Sequence, residues 1–70
     1  MNINALKAKM VLEDVSAEKL AQEIGVSKSA FYRKLSGKTE FTREEIQKII
    51  NALHISNNDA FTIFFENKVS

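Results

Sequence analysis

The chain contains no cysteine, no proline and no tryptophan, only two glycines, and a single histidine, His54. Without cysteine there is no disulfide framework, no thiol nucleophile and no thiolate metal site. With one histidine, a zinc site would have to be completed by carboxylates alone, a donor set that zinc sites rarely use. No metal and no other cofactor is therefore expected. Nothing reads as a linker, a repeat or a low-complexity tract. No apolar run approaches the ~20 residues of a membrane span, and the first residues lack a signal-peptide core. A cytoplasmic location is the expectation. Charge is not one-sided either, since 10 Lys and Arg against 9 Asp and Glu leave a formal charge of +1.

What is present is the composition of a globular domain. Hydrophobic residues make up 44% and charged residues 27%, which places the chain outside the disordered class. Seventy residues allow one small domain, expected to span 1–70. At that size roughly 60% of the chain's surface can be buried, so a deep catalytic cavity is hard to build. Glu44 and Glu45 are adjacent and point to different faces of a helix, and there is no Gly-rich phosphate loop and no nucleophile–base pair. A binding surface is expected, not an enzyme.

One local pattern recurs five times. An apolar residue precedes Ser, Thr or Asn, and a second apolar residue follows four positions later. The instances are Met1-Asn2…Leu6, Val15-Ser16…Leu20, Val26-Ser27…Phe31, Phe41-Thr42…Ile46 and Ile55-Ser56…Ala60. This is helix N-cap chemistry. The cap oxygen accepts an orphan backbone N–H, and the flanking apolar pair staples the entering chain. Thr42 has Glu45 three residues on, which completes a capping box. Gly25 and Gly37 suit left-handed C-terminal positions, and His54 is placed to end a helix in the same way. The spacing predicts five helices, over about 3–13, 17–24, 28–36, 43–53 and 57–66. Ile3, Leu6 and Met10 mark the inner face of the first. Leu20, Ala21 and Ile24 mark the second, Phe31 and Leu35 the third, and Ile46, Ile49, Ile50 and Leu53 the fourth. Strands lack support, because no stretch alternates strictly and no hairpin-turn dipeptide occurs.

The small net charge conceals an uneven distribution. Residues 1–26 carry −1, residues 27–43 carry +4 and residues 44–70 carry −2. The basic block is Lys28, Arg33, Lys34, Lys38 and Arg43. It coincides with the third helix, the loop after it and the start of the fourth. A concentrated positive surface attracts phosphates, although basic helix faces are also common as plain solvated surface. The element that carries the charge favours nucleic acid. It is the second helix of a tight helix–turn–helix pair, joined only by Gly25-Val26-Ser27. An α-helix fits the major groove, where base identity is legible. With Phe31 and Leu35 inward, the outer face is Lys28, Ser29, Tyr32, Arg33 and Ser36. Arg33 is the leading candidate for reading a base, because a guanidinium can donate two bonds to guanine O6 and N7.

The stretch from Ser16 to Lys38 resembles the helix-turn-helix of phage repressor and Cro proteins. The specific parts are Leu20-Ala21, with the small Ala21 at the helix crossing, and the turn Ile24-Gly25-Val26-Ser27. Ala52-Leu53-His54-Ile55-Ser56 resembles that family's link between its fourth and fifth helices. The resemblance covers roughly residues 3–65. It implies an all-α, five-helix, lambda-repressor-like DNA-binding domain, working as a homodimer on a near-palindromic operator. By position it assigns base contact to Lys28, Ser29 and Arg33, with Tyr32 beside them. Phosphate contact falls by position to Ser27, Lys38 and Arg43, and Lys34, in the same basic block, is expected to join them. Three departures from the family pattern stand out. Ala17 replaces a phosphate-bonding Gln found in many members. Phe31 and Leu35 lie four apart where three is usual. Met10 and Leu35 occupy positions where some members bury an Arg–Glu pair, which implies an apolar contact instead.

The last segment crowds Ala60, Phe61, Ile63, Phe64 and Phe65 together. Phe61 and Phe64 are expected to fill the core. Ile63, Phe65 and Val69 are expected to remain partly exposed as a dimer interface, since clustered exposed aromatics mark interaction sites. The expected function is a Cro-like phage or prophage repressor, nucleoid-associated, that excludes polymerase by occupying its operator. The alternative is a protein-interaction subunit on the same fold, antitoxin-like or antirepressor-like, working through the aromatic helix. Such a subunit would have no need for the basic block.

Overall fold

The computed structural model describes residues 1–65, all of whose regular structure is helical. The elements are α1 (Ile3–Leu12), α2 (Ala17–Ile24), α3 (Lys28–Leu35), α4 (Arg43–Ala52) and α5 (Asn57–Ala60). The last of these runs on without a break into a π-helical turn, Phe61–Phe65. No described helix is long and apolar enough to cross a membrane.

Local chemistry starts every helix. Asn2, Ser16, Ser27, Thr42 and Ser56 each accept the backbone N–H three residues on, at 3.0–3.2 Å. Thr42 closes its capping box, because its own N–H donates to Glu45 Oε1 at 2.9 Å. Helix ends are equally uniform. After α1, α2, α3 and α4 the chain places one residue in the left-handed region: Asp14, Gly25, Gly37 and His54. In each case the next residue's N–H reaches back five positions, as in Val15 to Met10, Val26 to Ala21, Lys38 to Arg33 and Ile55 to Ile50, at 2.9–3.0 Å. These are Schellman closures, which satisfy carbonyls the helix itself leaves orphaned. Three joints are thus the same device in three residues: Asp14-Val15-Ser16, Gly25-Val26-Ser27 and His54-Ile55-Ser56. Each combines a left-handed stop, an apolar residue and a cap. Only the α3–α4 link is longer.

Such short helices do not persist alone. Packing holds them, with α2 against α3 and α4, and α1 against the π-helical turn. The core collects Leu6, Met10, Leu20, Ala21, Ile24, Phe31, Leu35, Phe41, Ile49, Leu53, Ile55, Ala60, Ile63 and Phe64. Among the described residues it holds no polar side chain. Met10 and Leu35 are both buried in this cluster, which avoids the desolvation cost of two buried charges. Two further ties cross the domain. The Asn2 N–H donates to the Ile63 carbonyl at 2.6 Å. His54 Nδ1 lies 3.1 Å from Glu13 Oε1, joining the end of α1 to the α4–α5 joint. That hydrogen bond, with Lys9 beside it, holds the Glu13 carboxyl below its ordinary value.

The last helix corrects two expectations. Ile63 is 3% exposed and belongs to the core, so it is not available to a partner, whereas Phe61, expected inside, is 58% exposed. The staple sets the phase. Ile55 and Ala60 are both buried, and residues three and four beyond an inward Ala60 face inward with it. Those are Ile63 and Phe64, while Phe61, one residue on, is turned out to solvent. Phe65 is 57% exposed, as expected. Val69 lies outside the described residues.

Candidate nucleic-acid interface

The interface is built on α3. Its first turn is fixed by Ser27, whose Oγ accepts the Ala30 N–H at 3.1 Å. Its roll is fixed by Phe31, which is 0% exposed, and by buried Leu35 one turn further on. Phe41, from the α3–α4 link, meets the Phe31 ring edge-on at 5.8 Å between centroids. At about 100° per residue, the midpoint between Phe31 and Leu35 lies about 180° from Arg33. Arg33 is therefore on the crest of the outer face, and it is exposed. Ser29 and Ser36 are exposed on the same side. Tyr32 stands half out at 50% and braces its ring edge-on to Phe31 at 6.3 Å.

The basic residues are in three different states. Arg33, Lys38 and Arg43 are exposed and enter no ion pair among the described residues. Lys28 lies 3.7 Å from Glu18 Oε2 of α2, with both side chains more than half exposed. An exposed pair of this kind contributes little and can exchange its carboxylate for another acceptor. Lys34 differs from both. Its Nζ is 3.1 Å from Glu45 Oε1, donates to the Glu40 carbonyl at 3.2 Å and lies 5.9 Å from the centre of the Phe41 ring. Its side chain is 14% exposed, unlike the other cations of the basic block. Its charge is already engaged by the fold.

Two smaller points follow from the hydrogen bonds. The Ser36 hydroxyl donates to the Arg33 carbonyl at 2.9 Å, which uses its proton inside the helix. The Ser27 oxygen accepts from the backbone and keeps its proton to donate. At the start of α4, Glu45 receives the Thr42 N–H, so a carboxylate already occupies the position where a helix N-terminus would otherwise favour phosphate. Arg43, the first residue of that helix, supplies the positive charge there instead.

A short buried-faced helix followed by a three-residue turn and a second helix, with a guanidinium on the crest of the second, is a helix-turn-helix. The family model for the Cro/C1-type HTH DNA-binding domain matches residues 5–66. The chain belongs to that family. No curated protein and no solved structure matches it. As a Cro/C1-type domain it is a DNA-binding module.

Sequence reasoning missed the engagement of Lys34, the pairing of His54 with Glu13, and the left-handed Asp14. Asp14 had a signal, since Asp14-Val15-Ser16 occupies the same place as Gly25-Val26-Ser27 and aspartate tolerates that conformation better than most residues.

Proposed function

We propose that this chain is a repressor-type transcriptional regulator that binds a near-palindromic duplex operator as a homodimer. The observation that carries the reading is the roll of α3. Phe31 and Leu35 are buried beneath it, and Lys28, Ser29, Tyr32 and Arg33 are presented above. Laid in the major groove, that face puts Arg33 within reach of a guanine edge and Lys28 near the following base pair. Ser27, Lys38 and Arg43 flank it and take the phosphates, which supply affinity without sequence preference. Repression follows from occupancy, by exclusion of polymerase from an overlapping promoter.

The direct test is selection from random duplexes with the purified protein, followed by a salt titration on the selected sequence. A single enriched half-site is expected, repeated in inverted orientation about one duplex turn apart. Enrichment of no sequence would remove the proposal. Lys38→Ala is expected to weaken selected and random duplexes equally. It should flatten the plot of log K against log salt by about 0.9 for each half-site. An unchanged slope would show that Lys38 meets no phosphate.

For the dimer, the exposed pair Phe61 and Phe65 supports the reading. The two lie four residues apart on one side of the last helix, and isolated aromatics of this size are costly to leave in water. A symmetric dimer needs such a patch to be self-complementary. Phe65→Ser is expected to shift sedimentation equilibrium toward monomer while leaving the urea midpoint nearly unchanged. An unmutated protein that sediments as a monomer at high concentration would exclude dimerisation through this face.

A further inference from the structure

We infer that Lys34 and Glu45 form a lock that sets the angle of the recognition helix on α4, and that Lys34 is a positioning residue for DNA specificity and not a phosphate ligand. The inference rests on the DNA-binding reading of α3. It starts from how completely the two groups are engaged. Lys34 Nζ has three neighbours of the right kind: Glu45 Oε1 at 3.1 Å, the Glu40 carbonyl at 3.2 Å and the face of Phe41 at 5.9 Å. Glu45 Oε1 in turn accepts the Thr42 N–H at 2.9 Å, and the Glu45 N–H donates to Thr42 Oγ1 at 3.1 Å. One carboxylate oxygen therefore serves the cap of α4 and the ammonium of α3 together. The side chains are 14% and 15% exposed, against 59% and 67% for the Lys28–Glu18 pair. Partial burial reduces screening by water and salt, so this pair holds its geometry where an exposed one does not. Burial pushes the Glu45 carboxyl up, yet the Thr42 backbone N–H and the Lys34 ammonium outweigh it and hold the group below its ordinary value.

Position makes the lock matter. Lys34 follows Arg33 directly and lies on the flank of α3, one residue before the buried Leu35. The pair is the polar half of a clamp whose apolar half is Phe31 against Phe41. Together they tie α3 to the start of α4 at the end of the recognition helix that the α2–α3 joint does not restrain. A guanidinium reading two atoms of one base loses its bidentate geometry when the helix beneath it rolls. Loosening the lock should therefore degrade base reading while leaving backbone attraction intact.

The test measures affinity for the selected duplex and for random duplex over a salt series, with Lys34→Gln, Lys34→Arg and Glu45→Gln, each at a temperature where urea curves show it folded. Lys34→Gln is expected to lower the specific-to-random affinity ratio about 5- to 20-fold, with random-duplex affinity and salt slope unchanged. Lys34→Arg, which can keep the pair, is expected to retain the ratio. Glu45→Gln carries the sharper contrast. It removes a negative charge near the DNA, so charge alone would raise affinity for every duplex, whereas a lost lock lowers the ratio. A salt slope reduced by about 0.9 per half-site in Lys34→Gln, with both affinities falling together, would make Lys34 a phosphate ligand and overturn the inference. A rise in both affinities with Glu45→Gln at an unchanged ratio would overturn it as well. If Lys34→Gln does not fold, Glu45→Gln, which keeps shape and cap oxygen, decides the matter. If the unmutated protein shows no sequence preference, the DNA-binding reading itself fails, and that outcome is separate from either result with the variants.

Discussion

Arg33→Ala is expected to erase discrimination at one base pair in each half-site while leaving the preference at the other positions intact. A bidentate contact from arginine to guanine contributes about 1–3 kcal/mol of discrimination. The expected loss is roughly 5- to 150-fold per half-site on the selected duplex. Random-duplex affinity should fall much less, by the share of a single exposed charge. The reason is geometric. Arg33 stands opposite the buried Phe31–Leu35 edge, exposed and outside the domain's own ion pairs among the described residues, so truncation removes a ligand contact and little else. Competition binding with every base substituted in turn at each operator position is the measurement. A uniform loss across all sequences would demote Arg33 to a phosphate contact and leave base choice to Lys28, Ser29 and Tyr32.

Phe31→Ala should be the most damaging single change to the fold. The ring is 0% exposed, touches the edge of Phe41 and braces Tyr32. Truncating a buried phenylalanine costs about 3–5 kcal/mol. A single core in a domain this small rarely supplies more than about 3–5 kcal/mol in total. The variant is therefore expected to be largely unfolded at 25 °C, with collapsed helical circular dichroism and no cooperative urea transition. Phe31→Leu, which leaves a smaller void, should remain folded with a lower midpoint. Retention of a normal urea midpoint by Phe31→Ala would mean that the core is organised around some other residue. The two substitutions also separate roles on one helix. Position 33 changes binding without stability, and position 31 changes stability and takes binding with it.

The caps were legible because they are local. A serine or threonine oxygen and an amide three residues later belong to one turn of chain, so five helix starts could be placed before any tertiary contact was known. The orientation of α3 was legible for a similar reason. Two large apolar residues four apart leave only one side to bury, and Arg33 follows on the other. Phe61 and Ile63 show where this fails. With Ala60, Phe61, Ile63, Phe64 and Phe65 within six positions, every phase buries something apolar, and periodicity does not choose among them. The choice came from Ile55 and Ala60, which fix the entry of the helix, and from the Asn2 N–H held by the Ile63 carbonyl.

Lys34 marks the remaining boundary. On a wheel it is one more cation in a basic block, next to Arg33. Its partner is eleven positions away on another helix, and its side chain is long enough to turn either way. The same holds for His54 and Glu13, which are forty-one positions apart. Sequence by itself determined where helices begin and end, which side of α3 faces outward and that positive charge gathers there, because each depends on neighbours within about one turn. Only the tertiary structure decided which of those charges remain free for a ligand and which aromatic rings stay in water. Both depend on where the other helices come to rest, and that is set by the packing of the whole core.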